Sequence, residues 1–253
     1  MTLLLLAGTS DARRLAQGLA DRGVPTLASL AGATREPVAL PVPTRRGGFG
    51  GVQGFQDVLA AEGIGAVIDA THPFAARITT RTHDICATLG LPHLRLERPG
   101  WQAGPGDHWT FAADEEEAKA LIPEGSVVFL ATGRQSLPAW EGLRAASVHL
   151  RVIDPPDAPF TFPGGFVVAR PPFDIRAEVE TFARFGVTHL VVKDSGAADG
   201  RAKLDAAREL GISVIVLRRP PRPDGLRTVG TVAEALAWVE ELPFRSALAS
   251  LPG

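Results

Sequence analysis

Tyrosine is missing from this 253-residue chain, and cysteine and methionine occur once each. Without tyrosine, the Tyr–Lys pair of short-chain-type sugar or steroid reductases cannot be built. The lone Cys86 excludes an internal disulfide and a Cys-rich metal site, so no metal is expected. It falls in a helical stretch, reads as a small buried hydrophobe, and suits a reducing compartment. Lysine is scarce as well: Lys119, Lys193 and Lys203 are the only lysines among 26 basic residues. The net charge of −2 leaves no basic excess for a phosphate backbone, so nucleic acid is not an expected partner. Local arginines can still meet an anionic small molecule. A long hydrophobic run is lacking too. The opening Leu3–Ala7 has no basic segment before it and breaks at once into Gly8-Thr9-Ser10-Asp11. It reads as a buried first strand rather than a secretion signal or membrane span. A cytoplasmic monomer with no membrane partner is expected.

What is present is a 45% hydrophobic, 21% charged chain in which short apolar runs alternate with amphipathic ones. Strands are expected at Leu3–Ala7, Thr26–Leu30, Ala66–Ala70 and His93–Glu97, with helices at Asp11–Arg22, Asp57–Glu62 and Phe74–Leu89. After the Gly/Pro-rich stretch Arg98–Asp107 the pattern restarts. The next strands are Ser126–Ala131, Val148–Ile153, Phe166–Ala169, His189–Lys193 and Ser213–Arg218. The helices are Asp114–Leu121, Ile175–Phe185, Arg201–Leu210 and Thr231–Leu242. Gly186 and Gly211 follow helix ends, where a left-handed cap is wanted. Pro155–Pro163 and Pro220–Pro223 read as rigid loops. Strand–helix alternation implies α/β architecture with parallel strands and right-handed crossovers. Two domains are expected, 1–100 and 101–253, with the last helix free to pack back on the first.

In open parallel sheets, ligands sit beyond the carboxyl ends of the strands. Four segments stand there. In Ala7-Gly8-Thr9-Ser10-Asp11-Ala12-Arg13 a strand turns on glycine into a helix, where free N–H groups and two hydroxyls suit a phosphate. Only Gly8 of the G-x-G-x-x-G fingerprint remains, and Ser10 or Asp11 could equally cap the helix. In Asp69-Ala70-Thr71-His72-Pro73-Phe74-Ala75, Pro73 suits the first position of a helix, and His72 could donate to an anion or transfer a proton near neutral pH. Thr132-Gly133-Arg134 repeats the first pattern with a guanidinium fork. Val192-Lys193-Asp194-Ser195-Gly196 ends a hydrophobic strand on a lysine. The glycine-rich Arg45-Arg46-Gly47-Gly48-Phe49-Gly50-Gly51 either lies close against a ligand or is a flexible loop.

Together these segments resemble one family. Gly8-Thr9-Ser10-Asp11-Ala12-Arg13, Arg46-Gly47-Gly48-Phe49-Gly50, the Asp-Ala-Thr-His-Pro-Phe-Ala block at 69–75, Thr132-Gly133-Arg134 and Lys193-Asp194-Ser195-Gly196 match precorrin-6A reductases in order and spacing. Lys203-Leu204-Asp205-Ala206-Ala207 and Arg219-Pro220 match as well. Arg170-Pro171-Pro172-Phe173 departs from the family's Gly-Pro-Phe, and 197–200 is less glycine-rich than usual. The resemblance implies two Rossmann-like domains with parallel sheets and a cofactor/substrate cleft between them. It implies NADPH-dependent reduction of a double bond in precorrin-6A, a tetrapyrrole, to give precorrin-6B in cobalamin biosynthesis. Cofactor contacts are then expected from Gly8, Thr9, Ser10, Asp11, Arg13, Ser29, Arg45, Arg46, Gly47, Gly48, Phe49, Thr71, Thr132, Gly133 and Arg134. Substrate contacts are expected from His72, Arg134, Lys193, Ser195 and Gly196. His72, Lys193 and Ser195 are the candidates for protonation or orientation, with solvent as the other proton source. Two alternatives stay open: a non-catalytic nucleotide-binding or sensor module, and a cobalt-precorrin-6A reductase using NADH.

Overall fold

The computed structural model describes residues 1–32, 38–154, 159–170 and 172–242. The chain divides into two compact units, residues 1–99 with 221–253, and residues 100–220. Within the first unit the strands are β1 (Thr2–Leu6), β2 (Thr26–Leu30), β3 (Thr44–Arg46), β4 (Ile64–Asp69) and β5 (His93–Leu96). The helices α1 (Ser10–Asp21), α2 (Gly51–Ala61) and α3 (Ala76–Leu89) connect them. In the second unit follow β6 (Trp109–Ala112), α4 (Glu115–Ala120), β7 (Val127–Ala131), β8 (Ser147–Val152), β9 (Gly164–Val168), α5 (Ile175–Phe185), β10 (His189–Lys193), α6 (Ala202–Glu209) and β11 (Ser213–Leu217). The chain then returns to the first unit with β12 (Thr228–Val229) and α7 (Val232–Glu241).

Both sheets are six-stranded and parallel, as the alternation predicts. The first has the order β3-β2-β1-β4-β5-β12 and the second β9-β8-β7-β10-β11-β6. Each is the doubly wound arrangement whose strand order reverses beside its first central strand. The sixth strand breaks the chain order in both. The first unit takes β12 from beyond residue 220, and the second takes β6 from before its own β7. The expectation of a continuous 101–253 segment therefore gives way to a larger return, which begins at Pro221 and carries a strand as well as the last helix.

The apolar run of β1 is buried on both sides of its sheet. Leu3 and Leu5 pack with Leu15 and Leu19 of α1 and with Ala235, Trp238 and Val239 of α7. Leu4 and Leu6 pack on the opposite face with Phe55 and Leu59 of α2 and Ile85 of α3. A period of two on a strand covered on both faces gives this unbroken hydrophobic stretch. In the second unit Leu190 and Val192 of β10 join Phe129, Phe182 and Leu204 in one core.

The structure departs from the sequence reading in several places. The strands β3, β6 and β12 are two to four residues long and carry no periodic signal. Helix α2 starts at Gly51 rather than near residue 57, because its first turn is built from glycines that hide its propensity. Helix α3 starts at Ala76, three residues after Pro73, since His72–Ala75 forms a turn closed by Ala75 N donating to the His72 carbonyl at 2.8 Å. Residues 134–140 form a 3-10 helix containing Pro138, so this segment does not open an α-helix as the first strand–glycine turn does. Residues 155–158 of the Pro155–Pro163 loop, and Pro171, lie outside the described residues.

Candidate functional site

At the carboxyl end of β1, Gly8 has φ +145°, a backbone that favours glycine, and nothing stands within 4 Å of the position a Cβ would take. The α1 cap is Thr9, rather than Ser10 or Asp11: its hydroxyl accepts from Ala12 N at 3.1 Å and donates to the Ala70 carbonyl at 2.9 Å. The same hydroxyl thus ties the end of β1 to the end of β4. Asp11 is buried and pairs with Arg98 at 2.7 Å and with Arg14. Arg98 also reaches the Ser10 hydroxyl at 3.4 Å. A guanidinium therefore stands at the helix start, where the fingerprint glycines are missing. Arg13 is exposed on the outer side of α1.

At the end of β2, Ser29 is buried and opposes Arg45 of β3 in the strand register. Arg45 donates to the Ser29 hydroxyl at 2.8 Å and to the carbonyls of Gly47 at 3.2 Å and Gly48 at 3.0 Å. Its guanidinium lies 4.0 Å from the Phe49 ring centroid. Arg45 thus organises the glycine-rich segment, and its neighbour Arg46 is exposed. Gly54 allows the fit: a Cβ there would stand 1.8 Å from the Phe49 carbonyl oxygen. Among the described residues from Ser29 to Gly50 none is acidic.

The end of β4 carries a buried polar network. Asp69 is fully buried and Arg95 of β5 is 1% exposed, and they pair at 2.6 Å. Asp69 Oδ1 also accepts from Thr71 N at 3.0 Å and Thr71 Oγ1 at 2.7 Å, and Oδ2 accepts from Thr79 Oγ1 at 2.6 Å. Arg95 donates to Thr71 Oγ1 at 2.9 Å, to the His72 carbonyl at 3.3 Å and to Glu97 at 3.3 Å. The His72 ring accepts at Nδ1 from Phe74 N at 3.3 Å, so its neutral form carries the proton on Nε2. Beside this network lies His93, which burial pushes down to about 4 against the opposing attraction of Asp69.

In the second unit, Thr132 and Ser136 share a 2.6 Å hydrogen bond, and Ser136 Oγ also donates to the Gly133 carbonyl at 2.8 Å. Gly133 is left-handed at φ +82°, and Arg134 is exposed. At the end of β10, burial lowers the Lys193 ammonium from its ordinary range, opposed by Glu115. Asp194 accepts from Trp101 N at 2.9 Å, and its carbonyl accepts from Arg219 at 2.9 Å. Ser195 Oγ accepts from Ala197 N at 3.3 Å, and Gly196 is left-handed. Gly100 lets this contact form, since a Cβ there would lie 2.2 Å from Asp194 Oδ2.

A second charged cluster, not read from the sequence, sits where β8 and the first turns of α5 and α6 meet. Arg151 lies 4.9 Å from the Phe129 ring centroid and 4.3 Å from that of Phe173, and pairs with the buried Glu178. Burial pushes the nearby Lys203 down to about 8, with Glu178 opposing and Arg151 adding to the shift. Lys203 donates to the Gly200 carbonyl at 2.8 Å. Arginine within an alternating strand such as Ser147–Val152 was the available signal. The paired charges Arg95 and Arg98 follow the same logic, as cations inside or just after an otherwise apolar strand. Among the described residues no cluster of His, Cys, Asp and Glu could hold a metal, and no helix is long and apolar enough to cross a membrane.

Two doubly wound parallel sheets, each with polar clusters at the carboxyl ends of its strands, define a Rossmann-like two-unit α/β protein. The family model described as Precorrin-6x reductase CbiJ/CobK matches residues 2–240. The chain belongs to this precorrin-6A reductase family, oxidoreductases of cobalamin biosynthesis. It is 44% identical over 246 residues to the precorrin-6A reductase of Rhodococcus erythropolis, covering 96% of this chain and 99% of that one. Identity to the precorrin-6A reductase of Rhodobacter capsulatus is 44% over 241 residues, covering 94% and 96%. The cobalt-precorrin-6A reductase of Priestia megaterium is 29% identical over 232 residues, covering 86% and 90%. A solved structure titled CobK precorrin-6A reductase superposes with a TM-score of 0.90 at 41% identity, covering 95% of this chain and 96% of that one.

Proposed function

We propose that this protein reduces one ring double bond of precorrin-6A with NADPH, giving precorrin-6B. The observation that carries the reading is the 44% identity, over nearly the whole of both chains, to a relative named for that substrate. The lower identity to the relative named for cobalt-precorrin-6A favours the metal-free macrocycle. A Rossmann-like sheet binds a dinucleotide at the carboxyl end of its strands, with the pyrophosphate at the first helix. The residues fit that group: Gly8 keeps the approach to α1 open, and Ser10, Arg98 and the α1 N–H groups surround it. Ser29 with Arg45 and Arg46 at the end of β2 suits a 2′-phosphate, for which a carboxylate would be the wrong partner.

When bound, NADPH supplies the hydride. The chain's own residues bind, orient and handle the accompanying proton. His72 is our first candidate for holding that proton, at Nε2, with Lys193 and Ser195 as further donors or orienters. Exposed Arg134 and the Lys193–Gly196 segment offer cations and N–H groups to the carboxylates of a tetrapyrrole. The single thiol, Cys86, is buried, and burial pushes it up to about 12, which keeps it out of thiolate chemistry. The test is to mix protein, NADPH and precorrin-6A and follow the nicotinamide absorbance. Loss of the band only when all three are present supports the reductase. Tight NADPH binding without consumption would make the protein a nucleotide sensor instead.

A further inference from the structure

Among the described residues, Asp69 and Arg95 are the most deeply buried charged pair in the first unit. Stability is a weak reason for such a pair. Two well-packed apolar side chains of similar volume are often as stabilising as a buried ion pair, because desolvation of both charges offsets their attraction. Here the pair is also aimed at one short turn. The Arg95 fork reaches Thr71 Oγ1 through Nη1 and the His72 carbonyl through Nη2, and Glu97 holds the fork from behind at Nε and Nη2. The Thr71 hydroxyl donates to Asp69, which leaves its oxygen to accept from Arg95. The His72 carbonyl accepts a second time, from Ala75 N, which closes the turn. Within that turn Phe74 N is aimed at His72 Nδ1.

We propose that Arg95, clamped by Asp69 and Glu97, is a positioning residue: by holding Thr71 and the His72 carbonyl it fixes the 71–75 turn, and with it the His72 tautomer. The inference rests on the reading that His72 handles a proton in the reduction, and it deepens that reading. Arg95 acts through the backbone and touches no reacting atom. A buried guanidinium with two anchors has one orientation, so the turn it holds has one as well, and that turn aims the Phe74 N–H at His72 Nδ1.

The test uses Arg95→Met and Arg95→Lys in the full chain, with His72→Ala and the Arg95→Met/His72→Ala double variant. Long-range 1H–15N spectra of the His72 ring read the tautomer without any turnover. Wild type should show the Nε2–H form, Arg95→Met a mixture, and Arg95→Lys a partial return. In turnover, Arg95→Met should lower kcat about tenfold or more with KM for NADPH within about twofold, a misplacement effect. Added to His72→Ala it should cost nothing further. The proposal is overturned if Arg95→Met leaves the wild-type tautomer, or if its effect on kcat multiplies with that of His72→Ala. A normal kcat in His72→Ala together with a shifted tautomer in Arg95→Met would sustain the positioning and remove His72 from the chemistry. Should Arg95→Met not fold, Thr71→Val keeps the Asp69–Arg95 pair and must shift the same ring signals; unchanged signals overturn the proposal.

Discussion

Both ring nitrogens of His93 are buried without a hydrogen-bond partner, and burial pushes the imidazole from its ordinary range down to about 4. Attraction to Asp69 works against this, and His83, with its ring centroid 6.0 Å away, and Arg95 add to it. An unfolded histidine takes up its proton near pH 6.5, whereas the folded one resists until about 4. Between those values the unfolded chain binds more protons, so stability is intact above pH 6.5 and falls as the pH drops toward 4. Urea midpoints measured from pH 7.5 to 4.5 should show that loss, and His93→Phe should flatten it; an equal slope in the variant would assign the loss to other groups. A second prediction at this scale concerns Arg46, which is exposed beside the Ser29–Arg45 pair. Hydrogen bonds to a charged group contribute about 1.5–3 kcal/mol. Arg46→Ala should therefore raise KM for NADPH about tenfold or more and leave KM for NADH nearly unchanged. Equal effects on both cofactors would remove Arg46 from the 2′-phosphate. Residue identities such as these were legible in the sequence, but their pairings were not. That Arg45 turns inward and Arg46 outward depends on the register of β3, a strand too short to show a period.

At the scale of elements, the long strands and amphipathic helices were readable to within a residue or two, because burial writes a continuous apolar run into a strand covered on both faces and a period of 3.6 into a helix covered on one. Thr26–Leu30 and Ile175–Phe185 stand where the pattern puts them. Helix α2 was half-hidden by Gly51 and Gly54, residues that lower helix propensity; Gly51 has φ +100°, and Gly54 serves a close approach to the Phe49 carbonyl. Gly54→Ala would set a Cβ against the Phe49 carbonyl, and overpacking of that kind costs about 1–3 kcal/mol. The expected result is a lower thermal midpoint together with weaker NADPH binding, since Phe49 and Arg45 share this segment. Gly48→Ala has open space around the new Cβ and should change stability by about 0.5 kcal/mol or less. If the two variants melt alike, the close contact at Gly54 is not what holds the start of α2. The site was legible as backbone motifs at strand ends, and less so as side-chain networks. Asp69 stood inside a recognised block, whereas Arg95 looked like one more arginine in an arginine-rich chain.

For the whole molecule, the sequence predicts two α/β units but draws the boundary as a single cut. The two-residue strand β12 carries too little pattern to show that the chain returns with a strand as well as a helix. The second unit, residues 100–220, is contiguous and holds all six of its strands. The first needs β12 and α7, whose Ala235, Trp238 and Val239 are buried in its core. Each large side chain uncovered costs about 1.5–3 kcal/mol, against a total stability of about 5–15 kcal/mol for a domain. Residues 100–220 expressed alone should unfold cooperatively in urea, whereas residues 1–99 should show no cooperative transition. A cooperative 1–99 fragment would mean that α7 is dispensable to that core.

The late arrival of β12 and α7 also sets an order in time. A ribosome making this chain completes β1 to β5 first, then must deliver residues 100–220 before the closing strand and helix emerge. At about 5–20 residues per second that interval is on the order of ten seconds. Throughout it, the nascent first sheet has the face later covered by Trp238 open to water and to other chains. Chaperone capture during synthesis should therefore peak while the second unit is being made, rather than when the chain ends.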